Sequence, residues 1–186
     1  ASTWGLEPLP EPALATPEVL LGRRLFFETR LSGDATISCA TCHALDHGGA
    51  EPRPTSIGIG GAVGPINAPT VLNASLGIAQ FWDGRAATLE DQARGPVENP
   101  LEMGTTFEAV VASLLADPTY VTEFATVYPD GGITEGNIVG AIAAYERSLV
   151  TPGRFDRFLG GDEAALTVDE RAGYELFTSV GCTSCH

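Results

Sequence analysis

Apolar residues recur at helical spacing in several stretches of this chain, and most of these stretches open on a residue able to cap a helix. Thr16-Pro17-Glu18 places an N-cap, a first-turn proline and a first-turn acid before VLLGRRLFF. Thr105-Thr-Phe-Glu108 has the spacing of a capping box ahead of AVVASLLAD, with Pro118 as its stop. A further helix is expected from about Thr119 to Val127. The segment ITEGNIVGAIAAYERSLV begins at Thr134 and puts Ile138, Ile142, Tyr145 and Leu149 on one stripe. Thr167-Val-Asp-Glu170 repeats the capping box before RAGYELFTSV. Strand signals are sparse, so the pattern predicts an all-α chain.

Between the helices lie long loops. Residues 48–70 read GGAEPRPTSIGIGGAVGPINAPT, too rich in glycine and proline for a helix. Loops of this length inside a compact domain are usually functional or disordered. The next stretch, FWDGRAATLEDQARGPVENPLEMG, mixes aromatic, acidic and amide residues.

Composition narrows the class. The 186 residues are enough to bury a real core, and the net charge of −14 argues against nucleic acid or an anionic membrane surface while favouring a basic protein partner. No apolar run approaches the length of a membrane span. The N-terminal ASTWGLEPLPEPALATPE has neither a basic n-region nor an apolar h-region, so it does not resemble a retained signal peptide.

All four cysteines fall in two copies of one motif, Cys39-Ala-Thr-Cys42-His43 and Cys182-Thr-Ser-Cys185-His186, 143 residues apart. CxxCH is the attachment signature of c-type haem: two thiols add to the vinyl groups and the adjacent imidazole reaches the iron. A zinc site would need four ligands close together, and a redox CxxC needs no histidine after it. Two covalently bound haem c groups are therefore expected, with His43 and His186 as proximal iron ligands. Covalent haem attachment occurs outside the bacterial cytoplasm, so the expected compartment is the periplasm, a leader having been removed.

The series LGRRLFF, ISCATCH, TSIG, GPINAPTVLNAS, AQFWDGRAATLEDQARGP, LEMG and GCTSCH resembles the bacterial dihaem cytochrome c peroxidase family, in family order from about Val19 to His186. The resemblance implies a cytochrome c-like peroxidatic domain over residues 1–165 and the opening helix of a second, electron-transfer haem domain over 166–186. It implies reduction of hydrogen peroxide with electrons from a small cytochrome c or a blue copper protein, and it admits a homodimer. In the family a further half follows the second CxxCH and covers that haem. The chain is thus expected to need that missing C-terminal half, or another chain, over the second haem.

Residue roles follow from the same resemblance. Cleaving an O–O bond needs a base for one peroxide proton and an acid for the departing oxygen, and one carboxyl in an apolar pocket can be both. Glu102 in LEMG matches the family's catalytic glutamate, while Gln92 and Pro96 fall where the family lines the distal pocket. Trp82 matches an electron-carrying tryptophan, Phe81 a residue packed near the peroxidatic haem, and Asn67 a calcium ligand. Taken alone, Glu102 reads as solvated surface, Gln92 as an exposed helical residue, Trp82 as a large core or half-buried residue and Asn67 as a turn-capping amide. His47 reads as an exposed histidine. Met103, 60 residues after His43, keeps open an electron carrier with His43/Met103 ligation. A dihaem enzyme oxidising side chains of a partner protein is a further alternative. One departure stands out: Ile59 occupies the place after TSIG where many members carry an iron-binding histidine, so a first haem that is five-coordinate or water-bound is expected.

Overall fold

The computed structural model describes residues 6–12 and 15–185, and the chain divides into two compact units, Ala13–Leu149 and the segments Ala1–Pro12 with Val150–His186. Thr16 starts the larger unit's first helix, α1 (Pro17–Phe26), by accepting the Val19 N–H at 3.3 Å, with Pro17 in its first turn. Its buried face carries Leu21, Leu25 and Phe26. A single helical turn, α2 (Cys39–Cys42), holds the first cysteine pair.

Thr88 caps α3 (Leu89–Glu98), a helix that contains Pro96. For α4 (Phe107–Leu115) the expected cap moves by one residue: Thr106, not Thr105, accepts an N–H, that of Ala109 at 3.3 Å. Pro118, expected as a stop, opens α5 (Pro118–Val127) at its first turn, where its missing N–H has no intrahelical partner to lose. Thr134 caps α6 (Glu135–Ser148) as expected. Ile138, Ile142 and Tyr145 are buried on it, and Leu149 is half-buried at its end.

The core of this unit gathers α1, α4, α5 and α6, with Phe26 and Tyr145 meeting edge to face at 5.3 Å between centroids. At the crossing of α1 and α6 stands Gly22, where a Cβ would lie 1.8 Å from the Ala141 carbonyl oxygen. Only glycine allows this backbone approach.

The glycine- and proline-rich segment folds on itself. Asn67 Nδ2 donates to the carbonyls of Glu51 and Arg53 at 2.8 and 2.6 Å, and Thr70 Oγ1 donates to Gly48 O at 2.6 Å. Isolated bridges pair Ala44 with Ala50, Ile57 with Val63 and Gln80 with Ala86, but the described residues contain no strand. The fold is all-α, as the pattern predicts.

In the smaller unit, α7 (Arg154–Leu159) and α8 (Val168–Ser179) are joined by Arg154, which donates to Glu170 and to the Ala165 carbonyl at 2.9 Å. Phe155 and Phe158 pack on Tyr174 at 5.3 and 6.0 Å. Thr167 and Glu170 form the expected capping box. Residues 150–165, which the sequence groups with the first domain, share this unit with α8. Among the described residues no helix is long and apolar enough to cross a membrane.

Candidate functional site

Ser38 and Thr41 cap each other across α2, which closes the cysteine turn and delivers His43 immediately after it. His43 Nδ1 lies 2.9 Å from the Pro69 carbonyl oxygen. A carbonyl can only accept, so Nδ1 carries the proton and Nε2 keeps its lone pair. Burial lowers the pKa of His43, which favours the neutral ring. A neutral imidazole oriented by a backbone acceptor is the arrangement metal-ligating histidines adopt.

Cys39, Cys42 and His43 line a cavity whose other walls include Ile37, Ala93, Val97 and Ile142. Burial pushes the Cys39 thiol up to about 12 and raises that of Cys42, consistent with an apolar surround. Two thiols, a free imidazole nitrogen and an apolar cavity fit a covalently attached haem.

Gln92, Pro96 and Glu102 line the same cavity and also an adjoining one, to which Asn67, Phe81, Trp82 and Arg85 contribute. Gln92 and Pro96 lie four residues apart on α3; because proline has no N–H, it cannot make the usual bond to the Gln92 carbonyl. The chain then folds back on α3: Met103 N–H donates to Pro96 O at 3.1 Å and Thr105 N–H to Val97 O at 3.0 Å. This turn carries Glu102 to the cavity wall.

Asn99 fixes the carboxyl. Its Nδ2 donates to Glu102 Oε1 at 2.6 Å while its Oδ1 accepts the Leu101 N–H at 3.0 Å. Burial raises the Glu102 pKa, with Asn99 and the Arg85 cation pulling the other way. Glu102 is therefore half-buried, not the solvated surface residue that position alone would suggest. Neither Asn99 nor Arg85 is picked out by the sequence. Nor is Glu146 of α6, a buried acid facing both cavities.

Trp82 is 68 % exposed, its indole N–H donating to the Asn67 carbonyl at 2.9 Å; it is not a core residue. Phe81 adopts a φ of +64°, rare for an aromatic residue, with the Arg85 guanidinium 3.4 Å from its ring centre. Asn67 spends its side-chain N–H groups bracing the loop, and the described residues contain no group of three or more His, Cys, Asp or Glu side chains arranged to hold a metal ion. His47 is exposed beside Asp46, whereas Met103 is buried and lines the first cavity.

Ile59 lines neither cavity. Its N–H donates to the Glu102 carbonyl at 2.9 Å, and its Cδ1 lies 2.4 Å from where a Cβ on Gly104 would stand. Cys182 and Cys185 are exposed thiols after α8, in the other unit; His186 lies outside the described residues.

The all-helical, cytochrome c-like fold gives the class. The chain belongs to the di-haem cytochrome c peroxidase family, whose model matches residues 16–164. It is 51 % identical over 184 residues to the cytochrome c peroxidase Ccp of Escherichia coli (strain K12), covering 97 % of this chain and 39 % of that protein. It is 47 % identical over 185 residues to the cytochrome c551 peroxidase of Nitrosomonas europaea, covering 97 % and 55 %. Among solved structures, a MauG-like protein associated with microbial copper homeostasis superposes with a TM-score of 0.81 at 34 % identity, over 95 % of this chain and 55 % of that one. The chain spans about half or less of the length of these relatives.

Proposed function

We propose that this chain carries the peroxide-reducing site of a periplasmic dihaem enzyme, with one haem c on Cys39, Cys42 and His43 and a second on Cys182, Cys185 and His186. When bound, the first haem supplies the iron that exchanges electrons with peroxide. The observation that carries the reading is Glu102: a half-buried carboxyl with a raised pKa, held by Asn99 on the wall of the cavity that holds Cys39, Cys42 and His43.

The residues then divide the work. The Glu102 carboxylate accepts a proton from one peroxide oxygen and returns it to the other, which leaves as water. The Gln92 amide donates to an oxygen and orients the substrate, while Pro96 offers that wall no backbone donor. Phe81 and Trp82, between cavity and surface, provide the route by which electrons from the second haem and a small cytochrome c or blue copper donor arrive. Over a cycle, one hydrogen peroxide, two protons and two electrons give two waters. Haem-loaded dihaem enzyme with its second haem covered, given peroxide and a reduced small cytochrome, should oxidise two donors per peroxide, and its intact mass should show two haem additions. A mass lacking them, or donor oxidation no faster than with free haem, would overturn the proposal.

Met103 in the cavity wall supports a second reading, an electron carrier with His43/Met103 ligation. The near-infrared band of methionine-ligated ferric haem, sought on the first haem, separates the two. The peroxidase reading expects a high-spin first haem in the oxidised protein, because Ile59 cannot ligate iron. Electron paramagnetic resonance showing a wholly low-spin, bis-nitrogen first haem would contradict this.

A further inference from the structure

The cavity contains a second acid that the reaction above does not use. Four polar or charged residues are buried among the described residues: Ser32, Ser38, Glu51 and Glu146. Ser32 Oγ donates to Thr29 O at 2.9 Å, Ser38 Oγ lies 3.4 Å from Thr41 Oγ1, and Glu51 pairs with Arg53 at 2.9 Å. The side chain of Glu146, a residue 4 % exposed, reaches the cavity wall. Its neighbours on α6 turn elsewhere: Tyr145 packs on Phe26 of α1, and Arg147 pairs with Glu90 of α3 at 2.8 Å. Glu146 lines both cavities, together with His43, Gln92 and Glu102.

Holding a carboxylate against an apolar cavity is costly, and leucine at this position would avoid the cost. What fills the cavity must therefore account for the carboxyl. Burial pushes its pKa up to about 7, with Arg147 lowering it and Glu90 raising it. The other titratable groups around it are Cys39 of α2, whose thiol Glu146 itself raises, and Glu102, Cys42 and His43 in the cavity wall; Arg23 of α1 acts on Tyr145. Once joined to haem, Cys39 and Cys42 no longer titrate.

We infer that Glu146 takes up a proton when the haem held at Cys39, Cys42 and His43 is reduced and releases it on reoxidation, a role that rests on the reading of that site as a c-type haem site. A ferric haem carries one more positive charge than a ferrous one, and in a low-dielectric cavity that charge favours the carboxylate. An arriving electron removes it and restores the carboxylic acid. The step balances: one electron from an external reductant reduces the iron, one proton from water forms the Glu146 O–H bond, and no other bond changes. Electron delivery would thereby bring to the cavity one of the protons that peroxide reduction consumes.

Spectroelectrochemical titration of each haem in the loaded protein, across about two pH units either side of neutrality, tests this. In the pH range where the group is ionised when oxidised and protonated when reduced, the first haem's potential should fall by about 59 mV per unit, a tenfold change in K for one electron. Glu146→Gln should flatten that dependence, and Glu102→Gln should preserve it. A slope that survives Glu146→Gln, or vanishes in Glu102→Gln, overturns the inference. A second measurement needs no variant: the reduced-minus-oxidised infrared spectrum should gain a carboxylic acid C=O band that shifts in D₂O, and its absence also counts against the inference. Failure of the site reading shows separately, as a 39–43 peptide without covalent haem, and takes this role with it.

Discussion

Glu102→Gln is expected to leave both haems attached and to lower peroxide turnover by about 10²–10⁴-fold, the usual cost of losing a positioned acid–base group. The amide has the shape of the carboxyl and its oxygen can still accept from Asn99 Nδ2, so the turn over residues 99–104 should keep its form. What is lost is the ability to take and return a proton. Steady-state peroxide consumption with a reduced cytochrome, alongside haem quantification, is the check. Turnover within a factor of a few of the parent, at full haem content, would place the proton chemistry on another group.

The second large effect concerns stability. At Gly22 a methyl group would stand 1.8 Å from the Ala141 carbonyl oxygen and 2.9 Å from Tyr145 Cβ, and the first of these neighbours is backbone that cannot rotate aside. Gly22→Ala should force α1 and α6 apart and cost about 1–3 kcal/mol or more, as overpacking does. The gain in helix propensity, about 1 kcal/mol, works against this and is the smaller effect. Denaturant titration of haem-loaded protein should show a lower midpoint at unchanged slope. A midpoint equal to that of the parent would mean that the two helices can part at no cost. The damage should reach the cavity, because Phe26 packs on both Tyr145 and the His43 ring, at 5.3 and 6.5 Å between centroids.

What could be read from sequence was local. Thr16, Thr134 and Thr167 cap helices because side-chain oxygen and backbone N–H lie within one turn of each other, and both CxxCH motifs are contiguous. The slip from Thr105 to Thr106 comes from two adjacent threonines, either of which could cap; only the fold-back that bonds Thr105 N–H to Val97 O selects between them. Gly95 and Pro96 weaken the helical pattern around Gln92, so the extent of α3 is not legible, although Thr88 offers a cap. Six residues of α7 are too few to show a period. Asn99 carried a signal, since asparagine before proline marks a turn, but its bond to Glu102 depends on how that turn closes. Glu146 carried a sharper one. It sits four residues after Ile142 on the apolar side of α6, and a lone acid on a stripe of that kind marks a buried polar site. Trp82 is the opposite case, because nothing local announces that an indole will stay exposed.

The hydrogen bond from the Ile59 N–H to the Glu102 carbonyl ties the glycine-rich segment to the acid, and at Gly58 a Cβ would lie 2.0 Å from the Leu101 carbonyl oxygen. Surface loops ordinarily absorb insertions and deletions, since extra chain costs little closure entropy and disturbs nothing beyond itself. Here that freedom ends at Gly58. One residue added between Gly58 and Ile59 would shift the donor along the chain, pull on the Glu102 peptide and re-aim its carboxyl, whereas the exposed Pro52–Pro54 stretch has no such attachment to the acid. Within a single loop, a residue added near Pro52–Pro54 would strain the bonds to Asn67, whereas one added at Gly58 would alter the chemistry.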